Sequence, residues 1–249
     1  MRSCIRVSYI AVFGLLALAA FRLDARAQEE DPDRLYAERE DPAAATRAAE
    51  IWAARLSTNP DDIESAWKLA RAQYWLGTNG PGDRAARRRA LDAGVATARA
   101  LVARAPRRPE GHFWLAANMG ALAESHGLRQ GIRYRGAIKD ALETVLEIDP
   151  AFQDGSPDRA LGRWYFKVPG LFGGSNRKSE EHLRKALAYN PDSVITRLFL
   201  AETLLEMDRE DEARRELEAA LAAPLDPDWA PEDRVFKAQA KELLARLRR

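Results

Sequence analysis

Four prolines divide the chain at near-equal intervals. Pro60 in STNPDD, Pro106 in ARAPRRP, Pro150 in EIDPAF and Pro191 in AYNPDS each close an alanine-rich amphipathic run, at separations of 46, 44 and 41 residues. Proline removes a backbone donor and clashes with the preceding helical turn, so each marks a chain reversal. Between them Ala, Leu, Arg and Glu recur at three- and four-residue spacing, β-branched residues are scarce and alternating runs are absent. That is helical patterning. A repeated length with helical periodicity points to stacked helical hairpins, because no single hairpin buries its own apolar face.

The clearest unit follows Pro191, where VITRLFLAETLLEMDREDEARRELEAAL places Leu200, Ala201 and Leu204 on a first helix and Ala213, Leu217 and Ala220 on a second. Small residues let the helices approach, and large ones fill the groove between neighbouring pairs. This unit resembles the tetratricopeptide repeat family. Earlier units match in weaker form: Leu161, Gly162 and Tyr165 with Leu183 and Ala186, Ile138 with Leu142 and Val145, Leu115-Ala116, and Leu69-Ala70. Ala48 and Trp52 mark an opening half unit. The resemblance implies an all-α fold, a right-handed tetratricopeptide-like solenoid of helical hairpins over residues 28–230. A capping helix over 231–249 carries Val235, Phe236, Ala240, Leu243, Leu244 and Leu247 on one side to cover the last stacking face.

The first 27 residues differ in kind. Arg2 and Arg6 precede the apolar stretch from Tyr9 to Phe21, and Ala25-Arg26-Ala27 follows it. A bilayer-spanning helix needs about 20 apolar residues, so this shorter stretch reads as an export leader cleaved after Ala27 rather than a stable membrane span. The expected location is periplasmic or secreted. Cys4 lies ahead of the apolar stretch, so the processed chain has no cysteine for disulfide or thiol chemistry. The leader carries four arginines against one aspartate, which takes the net charge from +1 to −2 on processing. No global charge recruits nucleic acid.

Three units exceed the repeat length, around the turn between their two helices or by lengthening the helices that meet there, at residues 78–89, 125–136 and 167–178. Equivalent insertions gather on one edge of a solenoid. The edge is basic, with Arg84, Arg87, Arg88, Arg89, Arg129, Arg133, Arg135, Lys167, Arg177 and Lys178 against Asp83 alone. It reads either as a solvated rim or as an attractor of an anionic ligand or acidic partner.

The third insertion, KVPGLFGGSNRK, has the glycines of a phosphate loop without its spacing. Counting from Gly170 reaches Ser175 where the second glycine is required, and no strand precedes it. It reads as a turn: Pro169 halts one helix, the glycines permit positive φ, and Ser175 caps the next. Its apolar content is left over. Trp164, Phe166, Val168, Leu171 and Phe172 either pack beneath the turn or line a ligand or partner surface.

A leucine-glycine helix running into PGLFGG, a charged pair, and a helix ending KAL-x-x-NP resembles the tetratricopeptide T-component proteins associated with TRAP transporters. That resemblance implies a periplasmic helical protein that forms oligomers, associates with a solute-binding protein and holds an apolar ligand. Many such proteins are lipoproteins, and here no cysteine stands at the cleavage site. Leu161-Gly162-Arg163-Trp164 is also similar to the regulators of microtubule dynamics, themselves repeat proteins, although an exported chain would not meet microtubules.

Other chemistry finds no constellation. His112, His126 and His182 are far apart, none in a His-Glu-x-x-His arrangement, so neither metal nor cofactor is expected. Glu180-Glu181 and Asp211-Glu212 read as solvated helix faces. Two readings follow. One is a non-enzymatic scaffold for a protein partner, homo-oligomers included. The other is a carrier of an apolar or carboxylate ligand, with Trp164, Phe166, Leu171 and Phe172 lining the site and Arg129, Arg133, Arg135 and Lys178 orienting the anion.

Overall fold

Aspartate and serine start most of the helices. Asp31, Asp41, Asp62, Asp83, Ser175 and Ser193 each accept a hydrogen bond from a backbone N–H in the first turn that follows, satisfying donors that would otherwise lack a partner. The computed structural model describes residues 30–126 and 128–247, without the side chains of 126 and 128–130. The expected leader and the Arg129 side chain therefore lie outside the described residues. Within them are eleven α-helices and no strand.

The helices are α1 (Pro32–Ala37), α2 (Pro42–Thr58), α3 (Ile63–Asn79), α4 (Arg84–Arg104), α5 (Pro109–His126), α6 (Leu128–Ile148), α7 (Phe152–Lys167), α8 (Asn176–Tyr189), α9 (Val194–Leu205), α10 (Glu210–Ala222) and α11 (Ala230–Arg246). The four prolines fall between α2 and α3, α4 and α5, α6 and α7, and α8 and α9. They separate four antiparallel pairs, α3/α4 to α9/α10. The extra length of the first two pairs is in the helices, since α4 and α6 have 21 residues each, against 13 in α10.

Small residues stand where helices cross. Ala70, Ala98, Ala201, Ala213 and Ala220 are wholly buried. At Gly162 an added Cβ would stand 2.6 Å from Leu183 Cγ and 3.1 Å from the Ser179 carbonyl oxygen, so α7 and α8 touch backbone to side chain. Asn118, wholly buried, donates to the carbonyls of Ala70 (3.1 Å) and Trp114 (2.8 Å), tying α3 to α5 across the repeat boundary. Three apolar clusters run along the stack, the central one from Ala70 to Tyr165, with one at either end.

Helix α11 does more than cover a final face. Ala240 and Leu244 are buried against α9 and α10, and Phe236 meets the Phe199 ring edge-on at 6.1 Å. Val235, which the sequence places on the same apolar side, is exposed, because a stripe through Phe236, Ala240 and Leu244 turns it outward over a cavity. The segment before α11 then reaches the opposite end of the chain. Arg39, 4% exposed, forks onto the Glu232 carboxylate (3.0 and 2.5 Å) and donates to the Asp228 carbonyl at 2.7 Å. Arg234 makes a second fork onto Glu40 outside it, and Trp229 packs on the central cluster. The two ends of the solenoid are latched together.

Candidate functional site

Beside the latch lies a solvent-open cavity of about 500 Å³ on the face formed by the first helices of the pairs. Its walls come from the end of α3 (Tyr74, Thr78), the start of α7 (Gln153, Asp154, Arg159), the α8–α9 turn (Asp192, Ile195) and the segment from Pro224 through α11 (Trp229, Asp233, Phe236). Four sequence-distant pieces meet there only because the stack curves and the C-terminal segment crosses it.

Arg159 is the cation in the cavity lining, among several carboxylates. Its guanidinium donates to Ser156 Oγ at 2.6 Å and makes no ion pair among the described residues. Burial pushes it down to about 10, with Tyr74, Asp233 and Asp154 pulling the other way. The Gln153 Oε1 beside it is buried and has no hydrogen-bond partner within the described residues. A group of this kind costs about 1–3 kcal/mol unless something satisfies it. The backbone here is also strained. Gln153 and Asp154 hold φ of 43° and 55°, ahead of Gly155 at 80°, so three residues turn left-handed before α7 proper begins. Non-glycine residues in that region cost on the order of 1–3 kcal/mol each and cluster at binding sites.

The acidic lining has its own logic. Asp233 is 5% exposed, accepts from the Asp226 N–H at 2.9 Å, and is raised by burial above the usual carboxylate range. Asp154 and Asp192 are exposed at the mouth. Tyr74, pushed up to about 12 by burial, meets the Trp114 ring at a tilt of 54° with centres 5.7 Å apart. A half-buried guanidinium, one buried carboxylate and two at the mouth, and an apolar wall of Tyr74, Ile195, Trp229 and Phe236 suit a ligand with an anionic end and a cationic or hydrogen-donating neighbour.

The residues singled out in the sequence lie elsewhere, at the turn between α7 and α8. Trp164 and Tyr165 are core: their rings meet edge-on at 4.9 Å, and Trp164 Nε1 donates to the Arg135 carbonyl at 2.8 Å. Phe166 is half-buried between Arg163 and Lys167. Leu171 is 89% exposed, and Phe172 is 36% exposed beneath the Arg135 guanidinium at 5.4 Å. Arg133 is exposed beside Tyr134, and the Lys178 ammonium lies 5.3 Å from the Tyr165 ring centre. The inserted turns adjoin, since Arg84 donates to the Ser125 carbonyl and Arg135 covers Phe172. Leu161, Leu200 and the small residues of the repeat pattern are buried in the stack.

Sequence reasoning misses Arg159 because, on one helix, it looks like any solvated arginine. A faint signal is present: Gly155, Ser156, Gly162 and Arg163 occupy the positions three and four residues away, so no carboxylate can pair with it along α7. Among the described residues no cluster of His, Cys, Asp and Glu could hold a metal ion, and no helix is long and apolar enough to cross a membrane.

The profile of the family described as regulator of microtubule dynamics protein 1-3 matches residues 30–172, and a tetratricopeptide repeat profile matches 174–231. No curated protein matches the chain. Among solved structures, the thermophilic TPR protein TTC0263 of Thermus thermophilus is 26% identical, with a TM-score of 0.64 over 86% of this chain and 97% of that one. MamA is 15% identical, with a TM-score of 0.51 over 86% of this chain and 99% of its own. MamA from residue 41 of Desulfovibrio magneticus RS-1 is 16% identical, with a TM-score of 0.51 over 78% and 95%. The MamA likenesses show the fold alone.

Proposed function

The chain belongs to the family of regulator of microtubule dynamics proteins 1-3, and from that premise we propose that it is a non-enzymatic scaffold whose inner cavity takes the carboxylate end of a partner polypeptide. The tetratricopeptide solenoid is a protein-interaction architecture. One observation carries the finer reading: Arg159 is a half-buried cation on the cavity wall with no carboxylate paired to it. A terminal carboxylate would supply a charge-assisted, two-pronged bond. Asp154, Asp192 and Asp226 around it favour a basic or hydroxylated residue next in the ligand, and Trp229 and Phe236 an apolar one.

This moves the carrier idea from the segment 164–172, whose Trp164 is core, to the latched cavity. Export through residues 1–27 into the periplasm or beyond is part of the proposal and rests on the leader's sequence. Association with a solute-binding protein of a TRAP transporter is its narrowest form and rests on the sequence resemblance over residues 160–191 alone. The family description names microtubule dynamics, which an exported chain would not meet, so the cavity and not the description supports this reading.

Display of random C-terminal peptides tests it. Selected peptides should require a free carboxylate, with C-terminal amidation or Arg159→Met costing ~2–5 kcal/mol of binding. Peptides that bind equally well when amidated, or that ignore Arg159→Met in a variant of unchanged circular dichroism, would refute it. Selection of none, with a small carboxylate retained in native mass spectra, would transfer the site to the carrier reading.

A further inference from the structure

The turn between α7 and α8 holds its apolar tip rigidly outward. Phe172 N–H donates to the Pro169 carbonyl (2.8 Å), Gly173 to Gly170 (3.1 Å), Gly174 to Pro169 (3.2 Å) and Ser175 to Tyr165 (2.9 Å). Gly173 sits at φ 103°, and a Cβ on Gly174 would run into the Val168 carbonyl oxygen. Every bend of the loop is thus paired or sterically set, and the ordering cost of presenting Leu171 is already met within the fold. Nothing in this geometry needs a leucine at 171, where the side chain is 89% exposed. A polar residue would fit the same backbone and be better hydrated. The leucine, with Phe172 beside it, is built to meet something outside the chain.

The charge around the tip identifies what. From 163 to 179 the sequence has Arg163, Lys167, Arg177 and Lys178 and no acidic residue, and from 125 to 139 it has Arg129, Arg133, Arg135 and Lys139 and none. Of these, Arg133, Lys167, Arg177 and Lys178 are exposed. The carboxylates that face them are already engaged: Glu181 with Arg177, Glu124 and Glu202 with Arg163, Glu143 with Lys139. We propose that this turn is a wedge that docks the solenoid's basic edge on an anionic lipid surface, with Leu171 and Phe172 entering the acyl boundary and Arg133, Lys167 and Lys178 resting among the headgroups. A convex tip with cations on both flanks needs no matching cavity in its partner. Shallow apolar insertion plus attraction to anionic headgroups is the established physics of such contacts. The proposal does not rest on the Arg159 cavity, which opens elsewhere.

An environment-sensitive dye at position 171 tests it. The chain Cys4→Ser, Leu171→Cys, labelled with NBD, is mixed with phosphatidylglycerol-containing or pure phosphatidylcholine vesicles. Because residues 1–249 are kept, any adsorption through the N-terminal apolar stretch is common to all samples and does not report at 171. A blue-shifted, brighter signal on the anionic vesicles alone, lost in high salt, supports docking. In unlabelled protein Leu171→Asp should weaken partitioning about tenfold, whereas Tyr189→Asp, at an exposed apolar side chain on the far end of α8, should not. A dye that stays in water on anionic vesicles overturns the proposal. So does a Leu171→Asp variant that keeps full vesicle binding while losing an acidic protein partner, which would make the turn a protein-docking knob.

Discussion

Replacing Arg39 by Met should open the latch, and the cost can be worked from its bonds. The guanidinium is 4% exposed and holds both Glu232 oxygens, the Asp228 carbonyl and, at 3.3 Å, the Tyr36 carbonyl. Its flat face lies 4.8 Å from the Tyr36 ring and 5.3 Å from that of Trp75. Methionine keeps much of the volume and leaves Glu232, whose side chain is 15% exposed, without its ion-pair partner and with only the unbonded charge of Arg71 to offset it. Breaking such a pair from one side costs about 3–5 kcal/mol. At about 2–4 °C per kcal/mol for a chain of this size, the midpoint should fall by roughly 6–20 °C. The paired change Arg39→Met with Glu232→Met should recover much of that, because neither member of the pair is left without the other.

The pH dependence follows from Glu232. Burial raises its carboxyl above the ordinary 4.5, and the hydrogen bonds and charge of Arg39 pull it back. Without Arg39 the larger part of the opposing pull is gone, that of Arg71 remains, and the rise is larger. A carboxyl raised in the folded state adds stability that is fully present below its unfolded pKa and lost as pH rises through the folded one. The variant's deficit should therefore be largest near neutrality and shrink toward pH 4.5. Hydrogen exchange separates a latch from a local contact: protection should fall together in α1, α2 and α11. A loss under about 1 kcal/mol, or exchange changes confined to α1 and α2, would refute the coupling.

Gly162→Leu should destabilise far more than Lys178→Ala, since the added side chain meets Leu183 and the Ser179 carbonyl and overpacking costs ~1–3 kcal/mol or more, whereas Lys178 is exposed. Equal thermal midpoints would mean the register of α7 on α8 is wrong. Spectrophotometric titration of the six tyrosines should leave Tyr74 protonated until about pH 12, with Tyr36, raised still further by burial, behind it. Raised phenols give stability that is complete below pH 10 and lost as pH climbs toward 12, so alkaline unfolding should be steep and coincide with the late phenolate signal. Six phenols titrating together near 10 in a folded protein would contradict the burial.

What could be read from the sequence was what neighbours in the chain decide. Prolines stop helices locally, and Leu161, Gly162 and Tyr165 state their packing within one turn, so the pairs and their contact residues were legible. The position of the PGLFGG turn was legible too, but the direction of Leu171 was not, because it depends on hydrogen bonds closing the loop back to Tyr165. The candidate site was least legible, since Arg39 and Glu232 are separated by 193 residues and no periodicity links them.

That separation changes what kind of solenoid this is. In an open stack each repeat answers only to its neighbours, and a mutation at one end leaves the other unmoved. Here the first and last elements share one buried ion pair, and Glu232, which makes it, walls with Trp229 and Asp233 the cavity that holds Arg159. A ligand on Arg159 that also touches Trp229 and Asp233 would therefore stabilise the latch, and weakening the latch would lower ligand affinity by the same free energy. Arg39→Met, which touches no ligand, should weaken peptide binding together with protection of α11. Unchanged affinity in that variant would mean the cavity keeps its shape without the closure.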